Sequence, residues 1–190
     1  MTSPELDGAR ETLLAQLREH ALVIGDVTLS SGQRASYYVD ARRALLRPAG
    51  FMAAGQLIAA AARDAGAEAV GGPVMAAIPL ACAAIAVPDG ADLLGFFVRK
   101  ERKEHGLQRW VEGPVEAGAS CLVVEDTVTT GGSTVAAIER IREEGLEIKA
   151  TLSVVDRLAG GGDAIAAAAD APFRALVTID EIYPDRPDRA

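Results

Sequence analysis

The stretch Cys121-Leu122-Val123-Val124-Glu125-Asp126-Thr127-Val128-Thr129-Thr130-Gly131-Gly132-Ser133-Thr134 runs from apolar residues into two adjacent carboxylates, then into small hydroxyl residues and a glycine pair. A helical pattern follows, with Val135, Ile138 and Ile141 spaced along one face. This order predicts a buried strand that stops at an acidic pair and a loop that leads into a helix N-terminus. The first N–H groups of a helix lack internal partners and its dipole favours an anion, so the loop suits a phosphate. The carboxylates cannot serve the same phosphate; they suit hydroxyl groups, a metal ion, or both. A ribose 5-phosphate, with hydroxyls at one end and a phosphate at the other, fits both halves. The lysine of a nucleoside-triphosphate P-loop and the glycine spacing of a dinucleotide fold are missing, which excludes those readings.

Outward from this stretch, strand and helix patterns alternate. A helix is predicted from about Gly8 to Leu22, then short strands at Val27–Leu29 and Tyr37–Val39 around the turn Ser30-Ser31-Gly32-Gln33. Pro48 opens a second helix that ends at Gly66. Ala67–Val70 is a strand, followed by a Gly-Gly-Pro loop and an alanine-rich helix ending near Pro88. Leu93–Val98 and Ile148–Val155 are further strands, Gly132–Glu144 and Asp163–Ala169 further helices, and the strand Ala175–Ile179 closes the core. Residues 183–190 are expected to fray. Such alternation predicts an α/β fold with a largely parallel sheet flanked by helices, and a small N-terminal hood over about residues 1–45. In such folds ligands gather beyond the carboxyl ends of the strands. Arg99 with Lys100, Glu125 with Asp126, and Asp156 with Arg157 all stand at such ends.

Of 190 residues, 49% are hydrophobic and only 4% aromatic, so one core of Ala, Val, Leu and Ile, and a single domain over 1–190, are expected. The net charge of −8 speaks against non-specific binding to nucleic acid or to an anionic membrane. It also means that a polyphosphate needs local positive charge. Cys82 and Cys121 lie in apolar surroundings without metal-ligand spacing, which predicts buried free thiols in a reducing compartment. Ala69–Pro88 carries no charge and is long enough to span a bilayer, but Gly71, Gly72, Pro73 and Pro79 interrupt it. With no signal-peptide core in Met1–Arg10, a soluble cytoplasmic protein is expected.

The segment Arg99-Lys100-Glu101-Arg102-Lys103-Glu104-His105-Gly106-Leu107-Gln108-Arg109 answers the charge problem. It has no apolar periodicity and reads as an exposed loop directly after a buried strand. Its cations could meet a pyrophosphate leaving group, whose charge grows as its bond breaks. Closure of such a loop would keep water from a cation-like sugar centre. Trp110 and Leu107 read as an anchor for the loop in preference to a hydrophobic hinge. Arg34, Arg42, Arg43 and Arg47 form a second basic cluster, equally consistent with a solvated face and with substrate steering.

The strand, acid pair and Thr/Gly-rich loop resemble the phosphoribosyl-pyrophosphate (PRPP) motif of the type I phosphoribosyltransferases. Phe97-Val98-Arg99-Lys100-Glu101-x-Lys103-x-His105-Gly106 is similar to the catalytic loop of the orotate phosphoribosyltransferases. Ser31 to Asp40 looks like that family's S-G-x-x-S-x-Y-Y pattern beside the base pocket, Gly71 to Ala76 resembles its pyrophosphate loop, and Val154-Val155-Asp156-Arg157 resembles its V-V-D-R. The resemblance runs from about Leu22 to the last strand. It implies transfer of a 5-phosphoribosyl group from PRPP to N1 of orotate, giving orotidine 5′-monophosphate and pyrophosphate in pyrimidine synthesis. It further implies that Glu125 and Asp126 hold the ribose hydroxyls, and that Thr127, Val128, Thr129, Thr130, Gly131, Gly132 and Ser133 cradle the 5′-phosphate. Arg99, Lys100, Lys103 and His105 would bind pyrophosphate, and Thr129 and Arg157 would fix orotate. Mg²⁺ would enter with PRPP, and a homodimer would lend loop 99–109 to the partner's active site. Arg157 suits a planar carboxylate because its guanidinium pairs bidentately.

The chain departs from the family at Ala76-Ala77-Ile78, where a Gly-Ala-Asp-like run is common; a carboxylate is lost there. Two other readings stay open at this point: a phosphoribosyltransferase for another base, and a PRPP-sensing regulator on the same fold. Retention of Lys100, Lys103 and His105 and the acidic surface count against the regulator.

Overall fold

The computed structural model describes residues 3–28, 34–102 and 109–189. Helix α1 (Pro4–His20) begins earlier than the apolar pattern suggests, because Ser3 caps it by accepting the Leu6 N–H at 3.3 Å and Pro4 opens its first turn. It stops at Ala21, and β1 (Leu22–Thr28) starts at once and pairs antiparallel with β2 (Arg34–Val39). The predicted turn between them lies outside the described residues.

Short α2 (Arg42–Leu45) and long α3 (Pro48–Ala65) follow, the latter closed by Gly66 in the left-handed region. Next come β3 (Ala69–Pro73), α4 (Ala77–Ala86), a single 3₁₀ turn, β4 (Leu94–Val98) and β5 (Val111–Glu112). The chain continues through β6 (Ser120–Val128), α5 (Gly132–Glu143), β7 (Glu147–Asp156), α6 (Gly161–Ala169), β8 (Phe173–Thr178) and α7 (Ile179–Ile182). The main sheet has the order β5-β4-β3-β6-β7-β8, parallel throughout except for β5. The expected α/β architecture with a largely parallel sheet is the one observed.

Several boundaries differ from the sequence reading. Gly71, Gly72 and Pro73 are not a loop but the end of β3, paired with β4 as far as Val98. A Cβ on Gly71 or Gly72 would fall 2.2 Å from the carbonyl oxygen of Phe96 or Val124, so only glycine lets the three strands close up here. Strand β6 does not stop at Val124. Its ladder with β7 continues to Val128↔Asp156 and carries both acids inside the strand. Thr178 ends β8 and caps α7 through a box with Glu181, which moves Ile179 into the helix.

The sheet divides the apolar residues. Leu122, Val124, Leu152 and Val154 pack with Leu13, Leu17, Leu57 and Ile58 of α1 and α3, together with Tyr37 and Val39 of the hood. Cys121 and Val123 face Ile141 of α5 on the other side, and Ile138 meets Ile165 of α6. The hood therefore shares the main core. Burial pushes the Cys121 thiol up to about 12, an inert group, whereas Cys82 is exposed and corrects the expectation of burial. No described helix is long and apolar enough to cross a membrane.

The tail expected to fray is tied back: Arg186, only 11% exposed, bonds Asp180 at 2.8 Å and Asp188 at 2.9 Å. Charged residues in a polar sequence look unfit for docking, and only the fold supplies their partners.

Leu122, 1% exposed at the centre of this core, sets a stability test. Leu122→Ala should lower the unfolding free energy by about 3 kcal/mol with an unchanged m-value, measured by urea denaturation.

Candidate active site

The carboxyl ends of β3, β4, β6 and β7 share one rim, since Pro73 pairs with Val98 and Val128 with Asp156. Glu125 lies just inside that rim, 6% exposed, and accepts hydrogen bonds from Ser133 Oγ at 3.2 Å and Thr134 Oγ1 at 3.0 Å. The strand is thus fastened to the first turn of α5. Burial, reinforced by the Asp126 charge, pushes the Glu125 carboxyl up to about 7 against the pull of those hydroxyls.

Asp126 answers to the other face, where it senses Asp40 and Arg42 of the hood. Burial raises its carboxyl and Asp40 adds to the rise, while the Thr127 N–H, donating at 2.6 Å, and the Arg42 charge oppose it. Arg42 itself pairs with Asp40 at 2.8 Å. The sequence left Arg42 equally open to a solvated face and to substrate steering; in the fold it is half exposed, and its charge is felt by Asp126. Asp40 was missed; its signal was the Tyr37-Tyr38-Val39-Asp40 run ending a hood strand.

Thr127 to Thr134 line a cavity of about 180 Å³. Gly131, at φ +78, turns the chain into α5, and α6 starts against it: a Cβ on Gly161 would meet the Thr129 carbonyl oxygen at 2.5 Å. The glycines at 160–162 therefore bring two helix N-termini together at one loop. Thr127 Oγ1 is buried there without a partner, a state that costs about 1–3 kcal/mol unless something else bonds it. The loop can receive an anion through N–H groups and hydroxyls, and the acids beside it can accept hydroxyl protons.

Arg157 leaves β7 on the same rim, with its N–H on the Val128 carbonyl at 2.9 Å. Its guanidinium lies over the Tyr37 ring, 5.4 Å from the centroid. Arg157 and the predicted phosphate loop are thus brought into direct backbone contact.

The basic segment leaves the end of β4. Arg99 is half-buried and faces Glu112 at 3.5 Å, and Lys100 is exposed beside it. Lys103, His105 and Leu107 lie outside the described residues. Trp110, read as an anchor, is one: Arg102 and Arg140 lie over its ring at 5.2 and 4.5 Å, and its Nε1 donates to Glu143 at 2.8 Å. Both ends of the segment are held to α5, because Arg140 also bonds the Arg99 carbonyl at 3.0 Å. Among the described residues no group of three or more His, Cys, Asp or Glu gathers as a metal site.

No family model matches the chain. It is 45% identical over 174 residues to the orotate phosphoribosyltransferase of Corynebacterium glutamicum, covering 92% of this chain and 94% of that protein. An orotate phosphoribosyltransferase structure from Mycobacterium tuberculosis H37Rv, in complex with Fe(III) dicitrate, matches with a TM-score of 0.83 at 38% identity, over 92% of this chain and 99% of that one. Another from the same organism, in complex with PRPP, matches with a TM-score of 0.78 at 33% identity over 92% and 98%.

Glu125 yields a pH test. Its carboxyl titrates near 7 in the fold against an ordinary 4.5, so the folded state holds the proton more tightly than the unfolded chain. That contribution is full below the ordinary value and is lost as pH rises to about 7. Glu125→Gln keeps an acceptor for Ser133 and Thr134 but cannot ionise. Between about pH 5 and 8 the parent should lose on the order of 3 kcal/mol relative to the variant. Parallel urea-derived stability curves for the two proteins would refute the buried, protonated Glu125.

Proposed function

The chain belongs to the orotate phosphoribosyltransferase family, and from that membership we propose how its rim divides the work of the reaction. The enzyme transfers the 5-phosphoribosyl group of PRPP to orotate in pyrimidine biosynthesis. The observation that supports the assignment of roles is the backbone contact between Arg157 and Val128, which joins the arginine read as the carboxylate's partner to the loop read as the phosphate's.

Thr127 to Ser133 take the 5′-phosphate, with the unpartnered Thr127 hydroxyl and the first N–H groups of α5 as donors. Asp126 accepts from the ribose hydroxyls; Glu125 does so with the lone pairs that Ser133 and Thr134 leave open, and otherwise holds the loop to β6. Thr129 and Arg157 fix orotate, the guanidinium pairing with its carboxylate. Arg99, Lys100, Lys103 and His105 meet the pyrophosphate as it departs, stabilising charge that grows in the transition state. The missing carboxylate at Ala76-Ala77-Ile78 leaves α4 without a side-chain cap, and with no N–H on Pro79 and the Ile78 N–H on the Met75 carbonyl at 3.3 Å, little backbone is left there for the pyrophosphate.

Hard carboxylate oxygens on the rim suit Mg²⁺, and the Asp40 charge that Asp126 senses is negative charge that a cation relieves. Mg²⁺ would be held mainly through PRPP, with Asp126 available to it, and would supply charge neutralisation. The working form is a cytoplasmic homodimer in which loop 99–109 reaches the partner's active site.

Incubation with PRPP, Mg²⁺ and a panel of bases should consume orotate alone, followed by its absorbance, and EDTA should stop it. Arg157→Ala should lower kcat/KM for orotate by about 10³-fold or more, because a site built for a carboxylate loses its partner. Consumption of another base in preference would favour the alternative specificity. Separately, Trp110→Ala should lower kcat about tenfold by loosening both ends of the basic segment, with the KM for orotate little changed in steady-state assays.

A further inference from the structure

Tyr37 is 3% exposed, yet it joins three distant parts of the chain. Its ring packs edge-on against Tyr183, with centroids 5.4 Å apart. Its hydroxyl lies 3.3 Å from Arg157 Nη2 and 3.0 Å from both Asp188 carboxylate oxygens. A phenol has one proton to give, and arginine can only donate, so the directions follow: Arg157 donates to Tyr37, and Tyr37 donates to Asp188. Asp188 also accepts from Arg186 Nη1 at 2.9 Å, and Arg186 Nε donates to Asp180 at 2.8 Å. The hood strand, the end of β7 and the C-terminal tail are therefore joined in one chain of charge-assisted bonds.

The consequence falls on Arg157. Its guanidinium carbon lies over the Tyr37 ring, and one of its nitrogens is held by the Tyr37 hydroxyl. The donors left over must then present a fixed fork, which is what bidentate pairing with a planar carboxylate requires.

We propose that Tyr37 and Asp188 are positioning residues for Arg157, which makes the C-terminal tail a working part of the site that selects an acidic base. The proposal rests on the reading of Arg157 as the partner of the orotate carboxylate. Removal of the Tyr37 hydroxyl releases the fork, and neutralisation of Asp188 weakens the phenol's hold through its lost acceptor.

The test uses the full chain and steady-state kinetics with orotate and PRPP varied in turn. Tyr37→Phe keeps the ring stack and removes only the hydroxyl. It should raise the KM for orotate about fivefold, as expected for one lost hydrogen bond, and leave the KM for PRPP within about twofold. Asp188→Asn should raise the orotate KM about threefold, and Asp188→Glu should restore most of it. The double variant should match Tyr37→Phe alone, since both act through one hydroxyl. An unchanged or lowered orotate KM in Tyr37→Phe overturns the proposal, and a lowered one in Asp188→Asn means that the tail competes with substrate. Equal rises for both substrates, or additive single effects, also overturn it. Arg157→Ala separates the two layers: if it still uses orotate normally, the reading of Arg157 has failed, whereas loss there with a parent-like Tyr37→Phe sinks only the positioning role.

Discussion

The two-residue period of β6 is the constraint on which the rim depends. Successive side chains of a strand point to opposite faces, so two adjacent acids cannot both serve one side of the sheet. Glu125 goes to the α5 side, where Ser133 and Thr134 hold it, and Asp126 goes to the side of the hood, within reach of the charges of Asp40 and Arg42. One carboxylate is thereby committed to holding the phosphate loop in place. The other is turned toward the hood, where the charges of Asp40 and Arg42 act on it in opposite directions.

Helix α5 extends this arrangement across the molecule. Its first turn closes the phosphate loop, and its last turns carry Arg140, Glu143 and Glu144, which hold Trp110 and so the basic segment. A helix of 12 residues, about 18 Å long, thus links the loop proposed for the sugar phosphate to the segment proposed for pyrophosphate. Displacement of this helix would disturb both at once. In an acidic chain, this is also how positive charge is kept local: Arg102 and Arg140 lie over an aromatic face, Arg102 also paired with Glu143 and Arg140 on the Arg99 carbonyl, while Lys100 is exposed at the strand end.

Close packing of small residues makes these approaches possible. Gly71 and Gly72 let β3 sit tightly between its neighbours, and Gly131 with Gly161 let two helix N-termini meet at one loop. The low aromatic content is consistent with such a core. The few tyrosines are spent where a ring and a hydroxyl are both used, at Tyr37 above all.

Legible in the sequence were the main alternation of strands and helices, the largely parallel sheet, the unit of strand, acids, loop and helix, and the basic segment after β4, because each is written in residues close along the chain; the short α2, β5 and α7 were not. Period, turn chemistry and helix capping act over a few residues, and they can be read there. The sequence also marked Arg157, since a charged residue after a buried apolar run announces a strand end. Only the tertiary structure decided which of these groups meet. Tyr37 and Asp188 are 151 residues apart, Arg157 and Tyr37 120, and Ser133 reaches back 8 to Glu125. The extension of β6 through its acids came from pairing with β7, the docking of the tail from Tyr37 and Asp180, and the commitment of Glu125 from the nearness of α5. Those outcomes depend on side chains that become neighbours only when the sheet forms, and no local pattern records a partner that far along the chain.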